Sequence, residues 1–485
     1  MHFIDIAIFI LYILAMLGVG YYFMKKNKNK SDYYVGGRSM SSGHIGLSVV
    51  ATDVGGGFSI GLGGLGFTIG VSGSWMLLTG LIGAWLSAVL LIPKVYKLST
   101  DHQLFTFPQI FEHFYNKKVA LTAALISLIG YTGFTSSQLL AGAKLAAATF
   151  SDLNISHALL LMGSIAVIYT VMGGLKAVIY TDTIQWIILM GGLIFIGIPM
   201  GYLAIGGMEG IRNTLRPEFI ALDNISGITF INWMVTIIPI WFVGMTLYQR
   251  IYACKDKKTA QKAWFIAGLF EYPVMAFMGV LLGMFARVAL MKGMFAAEGY
   301  TTLQGLDIEM GLPMLLKTVL PFGLMGLFMS AYFSAILSTA DSCLMAASGN
   351  AVSDIFGRFI KLNEKQELGF SQVATGVIGI LAISIAASME NVLEIMLLSY
   401  SFMVSGLFIP IITGMFLKKP DAPAAMAAML GGGIFTLVLT VLEISLPFGL
   451  DPIIFGLSAS LIIYLSIWLL PYEKIKLVQI FRINK

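Results

Sequence analysis

Charge is scarce in this chain. Asp, Glu, Lys and Arg make up 11% of its 485 residues, against about 25% in an ordinary soluble domain. A water-soluble enzyme is excluded as a first reading. Cysteine is scarcer still. Cys254 and Cys343 stand far apart, so neither a disulfide framework nor a CxxC metal site can be assembled. Five histidines without HExxH spacing give no zinc signal. No GxSxG element occurs, and apart from Asp182 and Asp341 the apolar runs hold nothing resembling a catalytic pair. The chain is expected not to be an enzyme and to use no organic cofactor. The net charge of +5 is scattered over many loops, which is no footprint for nucleic acid.

What is abundant is apolar surface and glycine: 58% of residues are hydrophobic and 53 are Gly. Lipid is the natural solvent for such a chain, and glycine suits close helix packing within it. The first apolar run, Phe3 to Met24, ends in Lys25, Lys26, Lys28 and Lys30. It is too long for a secretory h-region and is expected to be retained as a helix. A crossing helix needs about 20 apolar residues. On that length the chain offers thirteen spans: 3–24, 42–70, 74–95, 118–149, 157–174, 179–206, 229–250, 263–290, 312–349, 370–388, 391–416, 423–445 and 450–470. With the N-terminus outside, 24 of the 30 basic residues fall in cytoplasmic segments and 3 in external loops. That bias follows the positive-inside rule and would alternate away if one span were miscounted. No loop is long enough for a second folded domain, so residues 1–485 are read as one transmembrane domain with a cytoplasmic C-terminus.

Two spans carry breaks. Val54-Gly55-Gly56-Gly57 interrupts the second, and Pro239 followed by Trp241-Phe242-Val243-Gly244 interrupts the seventh. Broken helices survive at membrane depth where freed carbonyls face protein, water or an ion. The breaks lie five spans apart. An odd spacing makes the halves 42–206 and 229–416 two repeats of opposite topology. Three acids sit inside spans, Asp53, Asp182 and Asp341, where charge is costly. Ala335, Ser338 and Thr339 fall at i, i+3 and i+4 on one face of the ninth span. Their oxygens, with carbonyls freed at Ala51 and Val54, form a hard-ligand set suited to sodium. Back-bonding of the two hydroxyls to their own helix is the plainer alternative.

Four stretches carry a family resemblance: Tyr33-Tyr34-Val35-Gly36-Gly37-Arg38-Ser39-Met40, Ala51-Thr52-Asp53-Val54-Gly55-Gly56, Gly173-Gly174-Leu175-Lys176-Ala177-Val178 leading into Thr181-Asp182 and Gln185, and Ser338-Thr339-Ala340-Asp341-Ser342. In their order and spacing the chain resembles the sodium:solute symporters, which include sodium-coupled proline, galactose, sialic-acid, pantothenate and choline carriers. The match runs from the first helix to about residue 420. The resemblance implies an all-α, leucine-transporter-like membrane fold: a five-plus-five inverted repeat, one helix before it and two (423–470) after it. It also implies sodium-coupled symport of a small organic solute by alternating access. It places one sodium ion on Ala51, Val54, Ala335, Ser338 and Thr339. It marks Asp182 as the acid some members use for a second sodium, and Asp53 as a support for sodium binding that argues against a choline carrier.

The solute is expected between the two breaks. Candidate lining groups are Gly56, Phe58, Trp75, Gln138, Trp241, Phe242 and Tyr400. Lys144 either pairs with a solute carboxylate or snorkels to the interface. Trp75 and Trp241 either form an aromatic platform or belong to the interfacial belt. A carboxylate, amino acid, vitamin or sugar acid all fit. Two other readings compete: a proton-coupled carrier using Asp53 or Asp182, and a membrane sensor on a transporter fold. The tail after residue 470 is too short for a signalling domain. Short external loops suggest a bacterial inner membrane.

Overall fold

The computed structural model describes residues 2–26, 35–53, 55–150, 153–360 and 363–469. Helices start where the sequence supplies an acceptor for the first free N–H groups. Asn116 accepts from Lys118 and Val119, Asn154 from His157, Ser226 from Thr229, Asp256 from Thr259 and Asp421 from Ala424. In chain order the helices are α1 (Phe3–Lys26), α2 (Ser42–Asp53), α3 (Gly55–Ile69), α4 (Trp75–Leu90), α5 (Ile92–His102), α6 (Pro108–Phe114), α7 (Lys117–Thr149), α8 (Ile155–Gly192), α9 (Ile198–Ala204) and α10 (Gly207–Thr214). They continue as α11 (Gly227–Val243), α12 (Met245–Ala253), α13 (Lys257–Leu269), α14 (Ala276–Met291), α15 (Gly311–Val319), α16 (Leu324–Gly349), α17 (Glu364–Ala386), α18 (Val392–Phe416), α19 (Ala422–Val441) and α20 (Pro452–Leu469). Among the described residues the only strand-like pairing is an isolated bridge between Met40 and Cys254.

Nine helical runs among the described residues are long and apolar enough to cross a membrane, and the pair α11–α12, bent by 43°, makes a tenth. Phe3–Val19 and Ile155–Val171 are shorter apolar stretches. The expected spans 42–70 and 74–95 share the apolar run Ser59–Leu90. The expected spans 157–174 and 179–206 share α8. The apolar stretches Ile155–Val171 and Thr181–Ala204 count separately.

Burial sorts the helices. The run through α16 is 94% buried and forms the centre, whereas α20 is 22% buried and lies at the rim. On α17 the exposed Val373, Val377, Ile380 and Leu381 line one face. An apolar stripe turned outward suits a protein that sits in lipid.

The two ends of the bundle are tied differently. At the first, the buried Asp5 of α1 accepts from the N–H groups of Gly323 at 2.7 Å and Gly326 at 2.8 Å, capping α16. Glycine is needed at 326, since a Cβ there would lie 2.6 Å from the Asp5 Cα. At the opposite end Arg38 donates to Ser99 Oγ at 3.0 Å and to the Leu104 carbonyl at 2.6 Å, clasping the segment before α2 onto α5. These are called the Asp5 end and the Arg38 end below.

Candidate functional site

Gly55 opens α3 with φ +52°, a left-handed value that a residue with a Cβ resists. The helical ladder stops here, and carbonyls behind the break need other partners. The Ala51 carbonyl accepts from the Thr339 hydroxyl of α16 at 2.8 Å. The same hydroxyl lies 3.3 Å from the Ala335 carbonyl. Ser338, on the same face of α16, has a buried Oγ without a hydrogen-bond partner among the described residues, close to the carboxylate of Asp182. A Cβ on Gly55 would sit 2.5 Å from Thr339 Oγ1, so bare backbone lets the break touch α16. Ala51, Ala335 and Thr339 thus meet, with Ser338 on the same face of α16. Val54, and the side chains of Asp53, Gly56 and Phe58, lie outside the described residues. Every group assembled is a neutral oxygen, a donor set that suits a hard monovalent cation.

A second layer lies toward the Arg38 end. Asp182 accepts from Ser48 Oγ in a short hydrogen bond and lies 3.5 Å from the Arg250 guanidinium, with both side chains fully buried. Arg250 also donates to Ser48 Oγ at 3.0 Å, the Thr246 carbonyl at 3.2 Å and Ser342 Oγ at 2.9 Å. It therefore links α2, α12 and α16 at one point. Asp341, fully buried on α16, accepts from Thr170 Oγ1, and its other oxygen has no hydrogen-bond partner among the described residues. Asp182 faces the guanidinium, and Asp341 lies outside that group's ion-pair and hydrogen-bond partners among the described residues. With both acids ionised the layer carries a net negative charge, which a cation or a proton would complete. The sequence flagged Asp182 and Asp341 as intramembrane acids. It gave no sign of Thr170 or Ser48, because isolated hydroxyls on apolar helices look like back-bonding groups.

The second break is built by α11 and α12, which part at Gly244 (φ −70°, ψ 110°). Tyr248 Oη donates to the freed Phe242 carbonyl at 2.6 Å, and the Thr246 N–H donates to Tyr131 Oη of α7 at 3.1 Å. Facing this break, α7 presents Phe134 and Gln138, both buried, and Tyr400 of α18 packs edge-on to Phe134 at 5.1 Å. Phe242 meets Phe408 of α18 at 5.8 Å. Gln138, Tyr400 and Phe242 therefore stay as candidates for the solute.

Three expectations change. Lys144 is not available to a solute carboxylate. Buried on α7, it is held by Glu309 at 2.7 Å and Asp307 at 2.6 Å. Trp75 points to the bundle end, donating to the Leu222 carbonyl at 2.6 Å and packing edge-on to Phe230. Trp241 is turned away into helix packing. It stacks edge-on to Trp264 at 6.4 Å, and a Cβ on Gly83 would lie 2.4 Å from its ring. Sequence reasoning also missed Glu271, fully buried where a π-helical segment joins α13 to α14. A Cβ on Gly80 would approach its carboxylate to 2.0 Å.

The family model described as "Sodium:solute symporter family" matches residues 33–432. The chain belongs to the sodium:solute symporter family. As a member it is a sodium-coupled symporter and not an enzyme. It is 26% identical to a sodium/glucose cotransporter of Vibrio parahaemolyticus, across 95% of this chain and 89% of that one. It is also 26% identical to an osmoregulated proline transporter of Bacillus subtilis, across 93% and 92%. Its fold matches a substrate-bound, outward-open Na+-coupled sialic acid symporter with a TM-score of 0.77 at 23% identity, covering 97% of this chain and 99% of that one.

Proposed function

We propose that this symporter imports a small organic solute and binds one sodium ion at Ala51, Val54, Ala335, Ser338 and Thr339. The observation that carries this is the meeting of the α2–α3 break with α16. There the Thr339 hydroxyl meets the carbonyls of Ala51 and Ala335 at a buried point, and the Ser338 hydroxyl, without a hydrogen-bond partner among the described residues, stands on the same face of α16. A second ion is assigned to the layer around Asp182, where Asp341 supplies the carboxylate that Arg250 does not engage. Asp53 acts as a support for sodium at the break. The chain has thirteen spans in a five-plus-five inverted repeat, with one helix before and two after, and forms one domain. The Asp5 end faces outside and the C-terminus the cytoplasm of a bacterial inner membrane, as the charge bias requires.

Each sodium entering gains about 2.3 kcal/mol per 100 mV of membrane potential, before its concentration gradient is added. Sodium settles the broken helix ends and so raises solute affinity, and by linkage the solute raises sodium affinity equally. The solute is a carboxylate, amino acid, vitamin or sugar acid held near Gly56, Phe58, Gln138, Phe242 and Tyr400. A proton is the competing occupant of the second layer, favoured by the unengaged oxygen of Asp341.

Melting of the detergent-purified protein in sodium and in potassium, at equal ionic strength, is the test. Saturating sodium raises Tm because it binds only the folded state, and a nutrient that adds stability only with sodium identifies the solute. Equal curves in both salts, with a pH-dependent shift, would overturn sodium coupling in favour of protons.

A further inference from the structure

Lys144 is the buried cation that the sodium site leaves unexplained. It reaches from the last turns of α7 to the segment before α15, and the contacts it makes there join four elements. Glu309 Oε2 accepts from Lys144 Nζ at 2.7 Å and from the Val392 N–H at 2.9 Å. Its Oε1 accepts from the Leu393 N–H at 3.1 Å. One carboxylate is therefore shared between the ammonium of α7 and the first free N–H groups of α18, the end of a helix that attracts negative charge. Asp307 completes the arrangement. Its Oδ2 lies 2.6 Å from the same ammonium, and its Oδ1 accepts from the Glu309 N–H at 3.0 Å. On the other side, a Cβ on Gly64 of α3 would lie 3.2 Å from Glu309 Cγ, so α3 packs directly on the acid's stem.

Glu309 also lines a cavity of about 530 Å3 at the Asp5 end, between α3, α11 and α18. Gly61 and Leu65 of α3, Trp233 of α11, and Leu397 and Ser401 of α18 are among its walls. Leu393 and Glu394 in the first turn of α18 line the same cavity, and the two leading N–H groups of that turn are held by the one side chain that also binds Lys144. An exposed ion pair would hold little. Lys144 and Glu309 are both buried, and removing one partner leaves the other charge uncompensated. While both charges are present, the carboxylate is therefore held in its seat between α7 and α18.

We propose that Lys144 is a positioning residue for transport. Through Glu309 and Asp307 it docks the segment before α15 onto α7 and holds the first turn of α18 back, keeping the cavity at the Asp5 end open. It acts through Glu309 and not by touching the solute. The proposal rests on the orientation argued above, in which that end faces outside.

The test uses the full chain in sealed cells, with Cys254 and Cys343 replaced by Ala and Ser401→Cys placed on the cavity wall. A membrane-impermeant thiol reagent is added outside, in sodium. The background protein is expected to label. Lys144→Gln and Glu309→Gln each slow labelling by about tenfold, within the range over which single contacts bias such equilibria. Lys144→Arg, which keeps the charge, restores most of the rate. The half-saturating sodium concentration for thermal stabilisation stays unchanged in Lys144→Gln, which shows that the variant folds and that the sodium site is intact. Labelling that is unchanged or faster in both neutral variants overturns the proposal. Failure of the background protein to label from outside, with labelling in inverted vesicles, overturns the orientation and with it the outward role of the cavity. Loss of the sodium effect in the background protein would instead indict the sodium assignment, and the labelling ratio between variants would still decide the role of Lys144.

Discussion

Gly55→Ala is the perturbation that most directly probes the contact between the broken helix and α16. The new methyl meets two obstacles. Gly55 has φ +52°, and an L-residue there costs about 1–2 kcal/mol. Its Cβ would also sit 2.5 Å from Thr339 Oγ1, so the hydroxyl must swing away. Thr339 would then lose its 2.8 Å hydrogen bond to the Ala51 carbonyl, worth about 1 kcal/mol. The sum is about 2–3 kcal/mol. If that loss falls on the sodium-bound arrangement, affinity drops by roughly 30- to 150-fold. Thermal shift against sodium concentration reads this directly. A second variant separates the causes. In a Thr339→Ala background the 2.5 Å clash with Oγ1 is gone and only the Thr339 Cβ at 3.2 Å remains, so Gly55→Ala adds little beyond its backbone cost. The two substitutions are then less than additive, as expected for residues in contact. A half-saturating sodium concentration that is unchanged in Gly55→Ala, or strict additivity in the double variant, would refute the account of the break given above.

Ser338→Ala should leave sodium-free stability unchanged or slightly raised, since the hydroxyl it removes is buried without a partner among the described residues. The sodium-induced rise in Tm should shrink, so opposite effects in the two salts are the signature to look for. Asp182→Asn strips the fully buried Arg250 of its counter-charge, a change that costs about 3–5 kcal/mol and should lower Tm in every salt. Asp341→Asn removes a charge that no described cation faces, so Tm should hold while the ion stoichiometry from reversal-potential measurements falls. Asp5→Ala deletes the two contacts that cap α16. A loss of about 0.5–2 kcal/mol is expected, seen as a lower Tm with unaltered half-saturation by sodium.

The membrane fold was legible because its causes are local. Apolar runs of crossing length, lysines at their ends and side-chain caps such as Asn116 and Asp256 all sit next to what they determine. Gly55 and Gly244 were legible for the same reason, since a glycine run and a nearby proline weaken the helix that contains them. The boundary between the two halves of α8 was harder. Gly173 and Gly174 mark the region, but the helical run Ile155–Gly192 continues across it.

The site divides along the same line. Ala335, Ser338 and Thr339 share a face because they share a helix, so their spacing alone brought them together. The approach of Thr339 to Ala51 crosses 288 residues and was reached through the matching breaks and the family pattern. Lys144 had neither aid. A lone lysine near the end of an apolar span is correctly given two readings, a solute partner or an interfacial side chain, and the structure takes a third. Its partner Glu309 lies 165 residues away, in a segment whose position is set by the ends of α7 and α18. No periodicity in the segment predicts a buried acid. The signal that existed was one of balance: a lysine in a span must be neutralised nearby, and the segment before α15 holds Asp307 and Glu309 two residues apart. Counting intramembrane cations against the acids of each adjoining loop, before assigning any of them to a solute, would have found the pair.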